Sequence, residues 1–202
     1  MKSFIFDIDG TLLDTEAMYM KSLQAILHER GMERSYAELA TTFGIPSKDA
    51  LLRLKVPDWE RVLALWGPRT QDYRSTVAVY AGVTGALKAL KARGAQLAIM
   101  TSKRRFEYER DVVAEGLADY FSQVVVAEDV AHGKPAPDGI LLAMQRLHAD
   151  PQDTVYVGDT LYDLAAAHAA KVQFGLAAWN GKQPDLIPDV SFQTPAEMLK
   201  LL

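Results

Sequence analysis

From Gly82 onward, short apolar runs alternate with amphipathic stretches, and this alternation constrains the fold more than any other feature of the chain. Gln96-Leu97-Ala98-Ile99-Met100, Gln123-Val124-Val125-Val126 and Thr154-Val155-Tyr156-Val157 read as strands. Between and after them, 84–93, 106–115, 137–148 and 161–170 read as helices. Gly94 and Gly116 stop two of these, and Pro137 sits in the first turn of another, where its missing N–H costs nothing. Phe174–Ala177 and Val190–Phe192 read as short strands, and 195–202 as a closing helix. Strands apolar on both faces, alternating with helices, predict a parallel sheet covered on both sides, so the fold class is α/β.

The first strand stands apart from this series. Phe4, Ile5, Phe6 and Ile8 form a short apolar run that ends at Gly10, and the next strand of the series does not begin until Gln96. The stretch from about Leu13 to Tyr80 reads as helical, without a convincing strand. Thr15 is placed to cap a helix that stops at Gly31, Ser35-Tyr36-Ala37-Glu38 has the capping-box pattern, and Ser47 and Asp58 are placed to cap two more. The last of these is expected to end before Gly67-Pro68. The expected organisation is an α/β core formed by 1–13 and 80–202, interrupted by an all-helical insertion over 14–79.

Composition removes several classes of function. The 202-residue chain has no cysteine, which excludes disulfides, thiolate nucleophiles and cysteine-ligated metals. Its net charge of −4 with mixed signs gives no basic stripe of the kind nucleic acid requires. The N-terminal apolar run is broken by Asp7, unlike a secretory signal, and no segment is long and apolar enough to span a bilayer, so a soluble cytoplasmic protein is expected. An anionic substrate would then need local positive charge from a metal or from a few placed lysines.

In an open α/β sheet, ligands bind beyond the carboxyl ends of the strands. The first strand ends in Asp7-Ile8-Asp9-Gly10-Thr11, the Gln96 strand in Thr101-Ser102-Lys103, and the Thr154 strand in Gly158-Asp159, with Asp163 following; the Gln123 strand leads to Gly133-Lys134-Pro135. Asp7 and Asp9, two apart, point the same way in an extended segment, and such crowded carboxylates call for a cation or a shared proton. Asp159 can complete an all-oxygen site, and hard oxygen donors without His or Cys suit Mg²⁺. Gly10 lets the backbone approach an anion closely, Lys134 supplies a point charge, and Pro135 favours an extended Lys134.

Four segments, in order, resemble the motifs of the haloacid dehalogenase superfamily: Phe6-Asp7-Ile8-Asp9-Gly10-Thr11-Leu12, Met100-Thr101-Ser102-Lys103, Gly133-Lys134-Pro135-Ala136-Pro137-Asp138 and Val157-Gly158-Asp159-Thr160-Leu161-Tyr162-Asp163. The phosphoglycolate phosphatase-like and β-phosphoglucomutase-like branch, with its small helical cap, is the nearest in pattern. The resemblance spans essentially the whole chain and implies a Rossmann-like core. It implies that Asp7 is the nucleophile and that Asp9 is general acid and then base. It implies that Thr101 and Lys134 hold the phosphoryl oxygens, with Gly10 and Ser102 beside the substrate. Mg²⁺ would be held by Asp7, the Asp9 carbonyl and Asp159, with Asp163 a further ligand or a partner of the ligands. Asp9 would have to hold a proton near neutrality, above the ~3.9 of a free aspartate.

The expected activity is Mg²⁺-dependent hydrolysis of a small phosphomonoester, phosphoglycolate first, with pyrophosphate, sugar phosphates and nucleotides behind it. Alternatives are a β-phosphoglucomutase-like mutase, a carbon–halogen hydrolase, which Asp9 disfavours, and a non-enzymatic phospho-acceptor or binding module. Among the remaining residues, the loop Thr42–Lys48 breaks the helical pattern with Gly44 and Pro46, and such loops in this branch face the substrate; Lys48 is its charged member. Lys103-Arg104-Arg105 reads as a solvated helix start, His132 as a loop residue, and Trp59 and Trp66 as core of the helical insertion. Oligomeric state is not readable from the sequence.

Overall fold

A computed structural model describes residues 2–182 and 184–202. Contacts divide the chain into two compact units, Met1–Leu13 with Val79–Leu202, and Asp14–Ala78. The first unit holds a six-stranded sheet, formed by β1 (Ser3–Phe6), β4 (Gln96–Met100), β5 (Gln123–Val125), β6 (Thr154–Gly158), β7 (Gln173–Ala177) and β8 (Val190–Phe192). Two-residue strands β2 (Leu13–Asp14) and β3 (Ala78–Val79), too short to leave a sequence pattern, pair with each other where the chain passes between the units.

All six strands of the large sheet run parallel, in the order β5-β4-β1-β6-β7-β8. The order reverses beside β1, so the switch point of the sheet, where a crevice opens beyond the strand ends, lies between β1 and β6. Helices α5 (Val83–Ala92), α6 (Arg105–Tyr108), α7 (Asp138–Leu147) and α8 (Leu161–Ala169) supply the crossovers. Burial on both faces explains why β1 is apolar without alternation. Ile5 joins a core of Met100, Ile140, Met144, Tyr156 and Phe174, while Phe4 and Phe6 stack at 6.3 Å, and Phe121 meets Phe6 edge-on at 5.9 Å.

The second unit is helical: α1 (Glu16–Glu29), α2 (Tyr36–Ala40), α3 (Ser47–Arg53) and α4 (Trp59–Arg69), then a 3₁₀ stretch over Thr70–Thr76. Leu23, Leu27, Leu39, Leu51, Val62 and Trp66 form its core, each large apolar side chain adding roughly 1.5–3 kcal/mol on burial. Trp66 Nε1 donates to Tyr19 O and Ser22 Oγ, both at 3.1 Å, which satisfies the one polar atom this side chain brings inside. Trp59 packs on the edge of the same core.

Several local expectations change. Ser35 does cap α2, accepting from Glu38 N at 3.2 Å, but Pro46 rather than Ser47 precedes α3, and Asp58 precedes α4 at φ 50° without a side-chain cap bond. α4 runs on through Gly67-Pro68 to Arg69. The segment expected as one helix over 106–115 is split, α6 passing into a π-helical turn over Glu109–Val113. The closing segment Pro195–Leu201 is 3₁₀. Among the described residues, no helix is long and apolar enough to cross a membrane.

Candidate active site

The site begins where β1 runs out. Asp7 N still donates to Val157 O at 2.9 Å, continuing the pairing with β6 and holding the residue at the switch point. The chain then turns sharply, with Thr11, Leu12 and Leu13 N all donating to Ile8 O. Gly10 makes this turn at φ 76°, and a Cβ there would overlap the Asp159 carboxylate. The Gly10 backbone thus lies against the Asp159 carboxylate. Gly10→Ala is expected to push Asp159 aside and to cost about 1–3 kcal/mol in backbone strain, measurable as a fall in thermal midpoint together with activity.

Asp7 is 6% exposed and Asp159 5%. Oxygens of Asp7, Asp159 and Asp163 lie within 4.8 Å of one another. Lys134 enters this acidic group with its side chain 8% exposed, its Nζ 2.9 Å from Asp7 Oδ1 and 2.7 Å from Asp163 Oδ1. The Lys134–Pro135 peptide bond is cis.

Asp163 has little left to offer a ligand. Its Oδ1 accepts from Lys134 Nζ and from Tyr156 Oη at 3.1 Å. Its Oδ2 accepts from Asp159 N at 3.3 Å, Thr160 N at 3.0 Å and Thr160 Oγ1 at 2.6 Å. Thr160 and Asp163 also form a reciprocal capping box at the start of α8. This carboxylate thus ties Lys134 to the loop that carries Asp159.

Asp159 is arranged differently. Its Oδ2 accepts from Asn180 Nδ2 at 3.2 Å, but its Oδ1 is buried with no hydrogen-bond partner among the described residues. A buried, unsatisfied carboxylate oxygen is costly and points to an absent electropositive partner. Burial, then the charges of Asp163 and Asp7, push the Asp159 carboxyl well above the usual range. Burial likewise raises Asp7 to about 7; Lys134 opposes the shift, while Asp163 and Asp9 add to it. Burial would lower Lys134, but Asp163 and Asp7 outweigh it and hold its ammonium well above the ordinary lysine value. The group is thus short of positive charge. An orphaned hard oxygen beside a second buried carboxylate fits a divalent cation such as Mg²⁺.

The other residues singled out from the sequence fall into place unevenly. Asp9 belongs to the same turn, but its carboxylate pairs with Lys103 Nζ at 2.9 Å. Thr101 is buried after β4 and its Oγ1 accepts from Lys103 N at 3.2 Å; Ser102 beside it is exposed. Lys48 lies in the helical unit, exposed, with its ammonium 5.2 Å from the Trp59 ring centroid. His132 is an exposed loop residue paired with Asp138 at 3.0 Å. The expectation that Lys103 belongs to a solvated basic run is wrong: its side chain is 1% exposed.

Sequence reasoning missed Trp179 and Asn180. Trp179 Nε1 donates to Thr11 O at 2.9 Å, and Asn180 Nδ2 to Gly10 O at 2.9 Å, so the segment after β7 pins the turn that carries Asp9. Extending the strand-end test to β7 would have found them. Tyr156 was read only as a strand residue; its lone hydroxyl is the signal.

The family model of haloacid dehalogenase-like hydrolases matches residues 4–177. The chain belongs to this family. Among its relatives, pyrophosphatase PpaX of Oceanobacillus iheyensis is 27% identical over 188 residues, covering 93% of this chain and 88% of that one. The phosphoglycolate phosphatase of Aquifex aeolicus is 28% identical over 206 residues, covering 100% of this chain and 97% of its own. A crystal structure of a Lactobacillus plantarum protein named for phosphoglycolate phosphatase superposes with a TM-score of 0.92 at 27% identity, covering 100% of this chain and 99% of that one. The Rossmann-like α/β reading stands with this match, and so does the reading of the chain as a phosphatase of the haloacid dehalogenase-like hydrolases.

Proposed function

We propose that the protein hydrolyses a small phosphorylated metabolite by covalent transfer to Asp7, with phosphoglycolate-type monoesters and pyrophosphate as the substrate classes to try first. The observation that carries this reading is the buried pair of Asp7 and Asp159 at the switch point, with Lys134 bonded to Asp7 and one Asp159 oxygen unsatisfied among the described residues. The names of the relatives from Oceanobacillus iheyensis and Aquifex aeolicus support the two substrate classes.

Asp7 is held by its backbone bond to Val157 and by Lys134, which leaves little orientational freedom to lose before attack. A carboxylate oxygen of Asp7 bonds to phosphorus while the bond from phosphorus to the leaving oxygen breaks. Asp9 gives that oxygen a proton, then takes one from the water that cleaves the aspartyl-phosphate. Thr101 and Lys134 would hold the phosphoryl oxygens, with Lys134 already beside Asp7. Mg²⁺, held by Asp7, Asp159 and the Asp9 carbonyl, would supply the positive charge that phosphoryl transfer needs. Asp163 keeps Lys134 and the Asp159 loop in position rather than spending its oxygens on the cation.

A phosphate-release screen over small phosphoesters and pyrophosphate, with Mg²⁺ and with excess chelator, tests the reading. Release is expected with Mg²⁺ and is expected to fall to background with chelator. Release that survives complete chelation removes the role given to Asp159. Turnover only in the presence of a sugar bisphosphate primer replaces hydrolysis by mutase chemistry.

A further inference from the structure

A row of buried charges runs from Asp9 into the core. Lys103 Nζ lies 2.9 Å from Asp9 Oδ1 and 2.9 Å from Asp111 Oδ2. Asp111 is fully buried, and Arg110 grips it with two bonds, Nε to Oδ1 at 2.7 Å and Nη2 to Oδ2 at 2.8 Å. Both residues sit in the π-helical turn Glu109–Val113. A π turn inserts a residue and rotates the positions after it, and such turns recur at functional sites. Here it delivers Asp111 to a lysine from another element.

Lys103 is also locked through its backbone. Its N–H donates to Thr101 Oγ1 at 3.2 Å, and its carbonyl accepts from Ala127 N at 2.9 Å. Its neighbours in the basic run do not share this burial: Arg104 is exposed, and Arg105 pairs with Asp129 at the surface.

Stability alone gives little reason for such a row. Each buried ion costs several kcal/mol of desolvation, and well-packed apolar replacements are often as stable or more so. The row gains a purpose at its outer end. Asp9, with its side chain 25% exposed, is the most open member, against 11% for Arg110, 1% for Lys103 and 0% for Asp111, and it belongs to the turn that follows Asp7.

We propose that Lys103, braced by Asp111 and Arg110, is a positioning residue for Asp9: it fixes one carboxylate oxygen and turns the side chain away from the Asp7–Asp159–Asp163 group, so that proton exchange with the leaving oxygen and with water occurs from a single orientation. This rests on the reading of Asp7 as nucleophile and Asp9 as acid and base. Lys103 acts only through Asp9, bonding one of its carboxylate oxygens. Its effect is confined to the steps in which Asp9 moves a proton.

The test compares leaving groups. An alkyl phosphate needs a proton on its leaving oxygen, whereas dinitrophenyl phosphate does not. Lys103→Met is expected to lower kcat/KM for ethyl phosphate about 10²-fold, the low end of general acid catalysis. For dinitrophenyl phosphate the loss in kcat/KM is expected to stay under about fivefold, with a burst of dinitrophenolate and slow turnover as the aspartyl-phosphate waits for an activated water. Equal losses for both substrates, without a burst, would make Lys103 merely structural and overturn the inference. Should Lys103→Met fail to fold by circular dichroism, Asp111→Asn, which loosens the brace and keeps the lysine, is expected to give the same split with smaller amplitude. Its absence there counts equally against the proposal. Phosphoenzyme trapping on the wild type separates the two layers. If Asp7 is never phosphorylated, the reading of the site fails and the inference with it. If it is, equal losses sink the role of Lys103 alone.

Discussion

Asp7→Asn is expected to lower kcat by about 10⁴-fold or more and to abolish the trapped phosphoenzyme, while making the metal-free protein more stable near pH 8. The first effect comes from chemistry, because an amide cannot form the acyl phosphate, although it fills the same space beside Lys134. The second comes from the sign of the pKa shift. Burial raises Asp7 to about 7 from an ordinary 3.8. Above 3.8 the unfolded chain releases a proton that the folded protein keeps, so the stability owed to this group declines as pH rises, and the full burden is present above 7. At about 1.4 kcal/mol per unit the burden is at most about 4 kcal/mol at pH 8. Asn removes it. Thermal melts in chelator should therefore place the variant above the wild type at pH 8 and level with it near pH 4. Mg²⁺ should close the gap, because a cation favours the ionised Asp7. A variant with near-normal turnover would mean that Asp7 is not the nucleophile.

Lys134→Met is expected to have the opposite effect on stability. Lys134 Nζ serves both Asp7 and Asp163, at 2.9 and 2.7 Å, inside the protein. Removing one member of a buried ion pair typically costs about 3–5 kcal/mol, because the remaining charge stays buried without compensation. Here two carboxylates are left. Lys134 holds the Asp7 pKa down, so its loss should raise that pKa beyond about 7 and extend to higher pH the range over which stability declines. The deficit should be larger at pH 8 than at pH 5, where a proton replaces the ammonium. Activity should fall about 10²–10³-fold, as for the loss of one preorganised charge at a developing anion. An unchanged melting midpoint at pH 8 would mean that the Lys134 pairings contribute nothing.

Much of the core unit was legible because its determinants are local. Strands β4 to β7 are largely apolar runs bounded by turn residues, as buried parallel strands must be. Gly94 and Gly116 fall where the chain needs positive φ, and both do adopt it. The helices of the second unit were found, but not all of their ends: Ser35 caps α2 as expected, whereas Asp58 precedes α4 without its side chain capping it, and Pro68 is tolerated inside that helix. Helix ends depend on packing as much as on the residues that flank them.

The acidic site was legible in its members and not in its wiring. Asp7, Lys134 and Asp159 each come after a strand, and the strand-end rule finds them. Asp163 was weighed as a metal ligand or as a partner of the ligands; its oxygens meet Lys134, Tyr156, Thr160 and the Asp159 backbone, links that no spacing shows. Lys103 was judged by its neighbours Arg104 and Arg105, which share its charge and not its burial.

Residue types and their spacing along the chain determined by themselves that this protein is a parallel α/β fold with carboxylates, a threonine and a lysine at its strand ends, because backbone geometry converts local pattern into local structure. Tertiary structure alone decided which strands neighbour β1, that Asp163 takes bonds from both Lys134 and Tyr156, that Asn180 reaches back to Asp159, and that a π turn carries Asp111 to Lys103. Each of these joins residues far apart in sequence or on different elements, or depends on burial. The energy of a charge is set by what surrounds it in space, and no spacing along the chain encodes that.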